Sequence, residues 1–473
     1  MQTNSMTEII YDYFSTRIKF GYFAEGEQLP SIPMIRKQFC VSALTVRAAL
    51  QLMKEDGCIE TTERTPATVI FRPDENTEQQ YVQYFLSHKE GIDDICRCSD
   101  IIFSPIMQQY FQRYDMASIK RMRSKLKKAD LRTAKPIIMF YAEAMQSLNN
   151  SLVTNLHWEL VRYLSTPYLR SYNFEEANTL AVECIEKILD FLEAGQVQQA
   201  LEEAALFYGK VTSQFHERTQ SLFEAQDQIE QIPFKWHIYR EHPQLCYTLA
   251  ADIMRKIDQK IYQAGDFLPS CKALSLEYGV SFITARRTVS LLNDMCITES
   301  LNGVGARVAL GKKPDSPNFS HLQIHKSLVL FLQAMQISAL TCGNVATHTL
   351  SALHHSDFQL LQQEIQASID NQTTGLVGEK CLRFIGENNP SPFVREVYNQ
   401  LYLLMLCGHF LHIFFKGPGS EYPYDTYAVR LKEALCNHNI HGFSKSLSEL
   451  VLLALVTSKK RLIQLGFDES QLV

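Results

Sequence analysis

The stretch GEQLPSIPMIRKQFCVSALTVRAALQLM, Gly26 to Met53, returns later in the chain as GDFLPSCKALSLEYGVSFITARRTVSLL, Gly265 to Leu292. Gly26/Gly265, Leu29/Leu268, Pro30/Pro269, Ser31/Ser270, Val41/Val280, Ser42/Ser281, Thr45/Thr284 and Arg47/Arg286 match at a single offset of 239, without a gap. Eight identities in one ungapped register mark an internal repeat. Each copy reads as a pair of short helices. Ser31 and Ser270 are placed as N-caps of a helix whose inner face holds Ile35 and Phe39, or Leu274 and Tyr278. A tight turn follows; Gly279 suits a left-handed residue there, and Cys40 in the first copy predicts strain or a different turn. Ser42 and Ser281 then cap a second helix, with Val46, Leu50 and Met53, or Ala285, Val289 and Leu292, as its buried stripe. Its opposite face carries Thr45 and Arg47, or Thr284, Arg286 and Arg287. Such a helix can enter a major groove with its N-terminal end against phosphate.

A hairpin is expected after each pair, from Cys58–Thr62 and Ala67–Phe71 in the first copy, with Glu63-Arg64-Thr65-Pro66 as its turn. In the second copy Asn302-Gly303-Val304-Gly305 precedes Ala306-Arg307-Val308. The combination of G-x-x-LPS, V-S-x-x-T-x-R and a small apolar hairpin resembles the winged helix-turn-helix of the GntR family of bacterial transcription regulators. That resemblance implies DNA binding, with the glycines of the wing tip letting the backbone approach the minor groove or phosphates closely. In the family, arginines two residues beyond LPS and just after V-S usually help to grip DNA. Here those positions hold Pro33 and Ala43 in the first copy, Lys272 and Phe282 in the second. For Phe282 a thymine methyl contact and a packing role both stay open.

The chain has 473 residues, 46% hydrophobic content and a net charge of −5, enough for three or four globular domains and without a global attraction for nucleic acid. The charge is unevenly spread. Met1 to Glu75 holds eight Lys/Arg against ten Asp/Glu, whereas His242 to Lys313 holds nine against six. Because phosphate neutralisation supplies much of DNA affinity, the second copy is the stronger binder by composition. The expected contacts are Ser42, Thr45 and Arg47, with Arg64 on the wing, in the first copy. In the second they are Lys272, Ser281, Thr284, Arg286, Arg287 and, on the wing, Gly303, Gly305 and Arg307. Ser and Thr would take phosphate, and Arg phosphate or guanine.

Polar stretches at Pro73–Glu78, about Gln226 to Gln244 and Gly311–Pro317 read as linkers, and the segments between them read as helical. The basic run Lys120 to Lys135 reads as a solvated helix face, with an auxiliary DNA surface as the lesser alternative. The two helical segments also align weakly, Leu156–Leu164 with Val397–Met405 at an offset of 241. Leu156-His157, Thr166-Pro-Tyr-Leu169 and Leu192-Glu-Ala-Gly195 are similar to helix landmarks of the fatty-acid-responsive GntR subgroup. The resemblance implies all-helical effector-binding bundles and, from two units in one chain, a covalent pseudo-dimer. The expected fold is therefore mainly α: winged helix-turn-helix domains at 1–75 and 236–315, and all-helical domains at 76–235 and 316–473, with further homodimerisation left open.

Many bundles of that subgroup hold a metal through Asp and three His. Val153 stands where the Asp would be, four residues before His157, and Tyr398 stands at the equivalent of His157, so no metal and no cofactor are expected. His409 and His412, one turn apart, are the remaining histidine pair of interest, read as packed or solvent-edge residues. The twelve cysteines follow no framework spacing. No P-loop, G-x-S-x-G or H-E-x-x-H occurs, so catalysis is not expected. No apolar run of about 18 residues and no cleavable leader is read, which predicts a cytoplasmic protein. Partners are a double-stranded DNA operator and a small-molecule effector, with no membrane. The rival reading is a degenerate scaffold that acts through a protein partner without touching DNA, favoured by the acidic first copy.

Overall fold

The computed structural model describes residues 5–19, 23–39, 41–62, 65–72, 75–128, 135–164, 174–207, 229–238, 245–309, 322–415 and 422–473. The chain is mainly helical and divides into two compact units, Met1–Tyr239 with Ser391–Glu396, and Arg240–Pro390 with Val397–Val473.

The first unit opens with α1 (Ser5–Lys19), α2 (Ile32–Phe39) and α3 (Ala43–Glu55), followed by the antiparallel pair β1 (Ile59–Glu60) and β2 (Thr68–Val69). The core is built at helical spacing: Met6, Ile10, Phe14 and Ile18 of α1 meet Ile35 and Phe39 of α2 and Val46, Leu50 and Met53 of α3. Each such side chain removed from water contributes about 1.5–3 kcal/mol. The hairpin is shorter than expected, with Pro66, which lacks an N–H to donate, just before its second strand. It is lengthened by the segment ahead of α2. Gly26 turns with φ +85°, its N–H donates to the Val69 carbonyl at 2.8 Å, and the Leu29 N–H donates to the Ala67 carbonyl at 2.8 Å.

Among the described residues, α4 (Glu75–Gln112), α5 (Met116–Leu126), α6 (Lys135–Gln146), α7 (Ser151–Leu164) and α8 (Phe174–Glu193) follow. Helix α4 starts at Glu75, inside the polar stretch 73–78; Asn76, Thr77 and Glu78 include no helix breaker, so polarity alone does not interrupt it. Trp158 of α7 closes the core of the N-terminal helices, its ring 4.3 Å from Phe39 and 5.6 Å, edge-on, from Tyr13. Beside it Arg162 donates to Asp12 at 3.0 Å and to the buried Glu159 at 2.7 Å. The described part of the second expected linker is packed as well: Ile232 N–H donates to Ser87 O at 2.7 Å, and Trp236 Nε1–H to Asn155 Oδ1 at 2.7 Å.

The second unit runs α9 (Leu245–Asp258), α10 (Cys271–Glu277), α11 (Phe282–Asp294), then β3 (Thr298–Leu301) antiparallel to β4 (Gly305–Val308). The rungs of the first unit recur at the repeat offset. Gly265 turns with φ +94° and donates to the Val308 carbonyl at 2.9 Å, and Leu268 donates to the Ala306 carbonyl at 2.8 Å. Helices α12 (Leu322–Ala352), α13 (His355–Asp370), α14 (Val377–Glu387), α15 (Pro392–Met405), α16 (His409–Phe414), α17 (Tyr422–Cys436) and α18 (Ile440–Gln464) follow, with a 3-10 turn at Thr374–Leu376; the start of α15 belongs to the first unit. Helices α12 and α18 pack along each other, and Gly343 permits this, since a Cβ there would lie 2.7 Å from Ser448 Oγ. These two helices correct the expectation about apolar runs. By length and composition both could cross a membrane, with mean hydropathy 1.5 and 1.2 over 18 residues. Polar residues are scattered through both, among them Ser, Thr and Gly in α12 and Lys445 and Glu449 in α18, and the α12 window is 61% buried inside the protein, as in a core helix.

Helix α9 is fastened by ion pairs. Asp258, its last residue, accepts from His409 Nδ1 at 2.9 Å and from His412 Nδ1, while His409 Nε2 donates to Glu379 at 3.0 Å. Burial alone would lower the His409 pKa, but Glu379 and Asp258 on its two nitrogens overcome that and hold it at about 9. Burial would raise Asp258, yet hydrogen bonds from His409 and His412 keep it well below the usual carboxylate range.

Trp158→Ala should destabilise the first unit by about 3–5 kcal/mol, measured as an earlier unfolding transition in calorimetry. The raised His409 has an unfolded value near 6.5, so its contribution is complete below about pH 6.5 and is lost as pH rises through about 9. The melting temperature of the native chain should therefore fall over that window more than that of His409→Gln. Parallel pH profiles would refute the ion-pair account.

Candidate nucleic-acid interface

The two repeat copies present the start of a helix in the same way. Ser42 has φ −72° and ψ 157°, and its Oγ accepts from Thr45 N–H at 3.1 Å; Ser281 has φ −65° and ψ 151° and accepts from Thr284 N–H at 3.1 Å. The hydroxyls of each Ser/Thr pair also bond to one another, at 2.9 Å and 2.8 Å. The cap satisfies one N–H of the first turn of α3 and of α11, and a helix start leaves further N–H groups without intrahelical partners, a setting that favours an anion. The turn before the helix is also shared. Val41 N–H donates to Arg36 O at 3.2 Å, Val280 N–H to Ser275 O at 3.0 Å, and Gly279 has the expected left-handed φ of +62°. Cys40, where strain was expected, lies outside the described residues.

The expected cations divide into two groups. Arg47 on α3, Lys272 on α10, and Arg286 and Arg287 on α11 are exposed, and none has an acidic partner among the described residues. Arg307 is committed: its guanidinium pairs with Glu299 on the neighbouring strand, Nε donating at 3.0 Å. Gly303 and Gly305 are exposed at the hairpin tip with φ +76° and +143°, conformations that side chains resist. Arg64 lies outside the described residues. In the second unit, Lys272, Ser281, Arg286, Arg287, Gly303 and Gly305 are exposed on one helix pair and hairpin, and Thr284 is half-buried beside Ser281.

The structure adds residues that the motif alone does not mark. Leu44 is 76% exposed and its counterpart Ile283 is 56% exposed, both in the first turn of the helix. They lie off the Val46/Leu50/Met53 and Ala285/Val289/Leu292 stripes, a signal already present in the spacing. Phe282 is 53% exposed, so it does not serve as a core residue and its ring faces outward beside Ser281. Arg36 on α2 is exposed as well.

Elsewhere three cations of the basic run, Arg121, Arg123 and Lys125, are neutralised by carboxylates. Arg123 of α5 donates to Glu186 at 2.9 Å, Asp190 at 2.6 Å and Glu193 at 2.9 Å, and Arg121 and Lys125 pair with Glu143. His157 is buried against Trp158, and burial lowers its imidazole to about 4. Both nitrogens of His409 are taken by carboxylates, which removes it as a metal ligand. Among the described residues, no group of three or more His, Cys, Asp and Glu could hold a metal ion. No disulfide joins the described cysteines.

Comparison with known proteins places the first copy. Residues 6–69 match the family described as bacterial regulatory proteins, gntR family. No curated protein matches the chain. Solved structures similar to it include a Streptococcus agalactiae GntR protein at 15% identity and TM-score 0.22, covering 44% of this chain and 98% of that one. Another is Lar, described as controlling expression of the Listeria monocytogenes agr system and mediating virulence, at 14% identity and TM-score 0.24, covering 47% and 99%. A third is E. coli McbR/YncC at 16% identity and TM-score 0.26, covering 46% and 98%. Residues 6–69 form a GntR-family helix-turn-helix domain in a mainly helical chain.

Proposed function

We propose that the chain is a DNA-binding transcription regulator with two GntR-type heads, at 1–75 and 236–315, each followed by an all-helical domain, at 76–235 and 316–473. The observation that carries the second head is the recurrence, at the 239-residue offset, of the cap, the glycine turns and the hairpin rungs found in residues 6–69. A resemblance limited to sequence would not reproduce the Gly265-to-Val308 and Leu268-to-Ala306 hydrogen bonds.

Ser42, Thr45 and Arg47 would contact DNA in the first head, with Arg64 in support. Lys272, Ser281, Thr284, Arg286 and Arg287 would do so in the second, where Gly303 and Gly305 let the wing approach the backbone. Arg307 would position the wing through Glu299 rather than touch DNA. The exposed ring of Phe282 suits a thymine methyl in the major groove. With two heads in one chain the molecule would act as a covalent pseudo-dimer, and the unlike heads suit an asymmetric operator. A small molecule bound in the helical part would alter operator affinity through differential binding to two states. The protein would work in the cytoplasm, and regulation of this kind calls for no catalysis.

Selection from random duplexes should yield a bound motif with two unlike halves. On that duplex, Arg286→Ala/Arg287→Ala should weaken binding and reduce the salt slope by about one for each phosphate that the variant leaves unneutralised. Phe282→Ala should relax the base preference at one thymine by about 1 kcal/mol, the worth of one buried methyl group. Absence of any enriched motif at low salt, with folded protein, would favour a scaffold that works through a protein partner.

A further inference from the structure

The second unit contains a cavity of about 120 Å³ that the DNA-facing residues do not use. Phe331 and Met335 of α12, Leu382 of α14, and Leu450, Val451 and Ala454 of α18 give it apolar walls. Its polar lining includes Asp258, Glu379, His409 and His412, together with Tyr424, Ser458 and Arg461. The volume is close to that of the roughly 150 Å³ cavity known to take benzene, so the apolar part accepts a body of one small ring.

The charges decide the head group. Asp258 uses one oxygen for His409 and the other for His412, and Glu379 accepts from His409 and, at 3.3 Å, from the Tyr402 hydroxyl. These carboxylates are spent, so an amine entering the cavity meets no oxygen ready for it. Arg461 differs: its guanidinium lies over the Phe415 ring, 5.4 Å from the centroid, with no carboxylate partner among the described residues. A ring face satisfies a cation only partly, and a carboxylate brings a charge-assisted, two-pronged contact that the ring does not.

We infer that this cavity is a binding site for a small organic acid with an apolar body, whose carboxylate is taken by Arg461 while its body lies against Phe331, Met335 and Leu450. The inference rests on the reading of the helical part as an effector domain and specifies its ligand. It also gives the route to DNA. Asp258 is both a wall of the cavity and the residue that fastens α9, the first helix of the proposed second head. A ligand there touches the residue on which that helix is held.

The test uses the full chain and three probes with one ring and different head groups: benzoate, benzyl alcohol and benzylamine, titrated by calorimetry. Benzoate should bind saturably and at least about tenfold more tightly than the alcohol or the amine. Arg461→Gln should remove that preference, and Ala454→Phe, which fills the cavity, should abolish binding, with unfolding midpoints kept as the check on folding. No benzoate binding at millimolar concentration, a preference for the amine, or equal benzoate affinity in both variants would overturn the site. A parallel measurement of affinity for the selected duplex separates the two readings. Benzoate binding that leaves DNA affinity unchanged supports the site and overturns the effector role; benzoate binding that shifts DNA affinity in native protein, and not in Arg461→Gln, supports both.

Discussion

The helix that would read DNA is held by a small backbone ladder. The segment ahead of α2 turns at a left-handed glycine and hydrogen-bonds to the last strand of the hairpin, so the two helices and the hairpin become one body. Only glycine enters that turn without steric cost, which is why Gly26 and Gly265 stand at matching places. From there the geometry follows by short steps. The ladder sets the start of the first helix, a five-residue hydrogen bond closes the turn, and a serine cap fixes where the second helix begins. The outward first turn of α3 or α11 is the end product of those constraints.

The two copies share that scaffold and differ in what they display. The first has Pro33 and Ala43 at positions where the second has Lys272 and Phe282. Its core is completed by Trp158 from α7, while helix α9 of the second unit is held through the buried pair Asp258–His409. An aromatic contact is insensitive to pH and to small charged molecules. A buried carboxylate shared between two histidines responds to both, because each partner must keep its charge. The second copy therefore combines the more basic surface with the more responsive attachment.

What could be read from sequence was whatever is local. The caps at Ser42, Ser270 and Ser281, the buried stripes of α3 and α11, and the turn at Gly279 are set by residues within a turn or two of one another, and they are found as expected. Attachments over long separations were not legible. His409 and His412 could be seen as one turn apart, but Asp258 lies 151 and 154 residues away along the chain. The same holds for Arg307, whose charge is consumed by a cross-strand Glu299 that composition counts as an independent residue. Polarity misled once: the polar residues scattered through α12 and α18 masked helices apolar enough, by length and composition, to span a membrane.

Whether one chain carries two DNA-reading heads can be decided by hydroxyl-radical footprinting of the selected duplex at saturating protein. Native protein would be compared with Arg47→Ala and with Arg286→Ala/Arg287→Ala. Two protected patches are expected, one weakened by each variant and not by the other. A single patch that depends on Arg47 and is indifferent to Arg286 and Arg287 would contradict the two-headed reading and leave the second copy as scaffold.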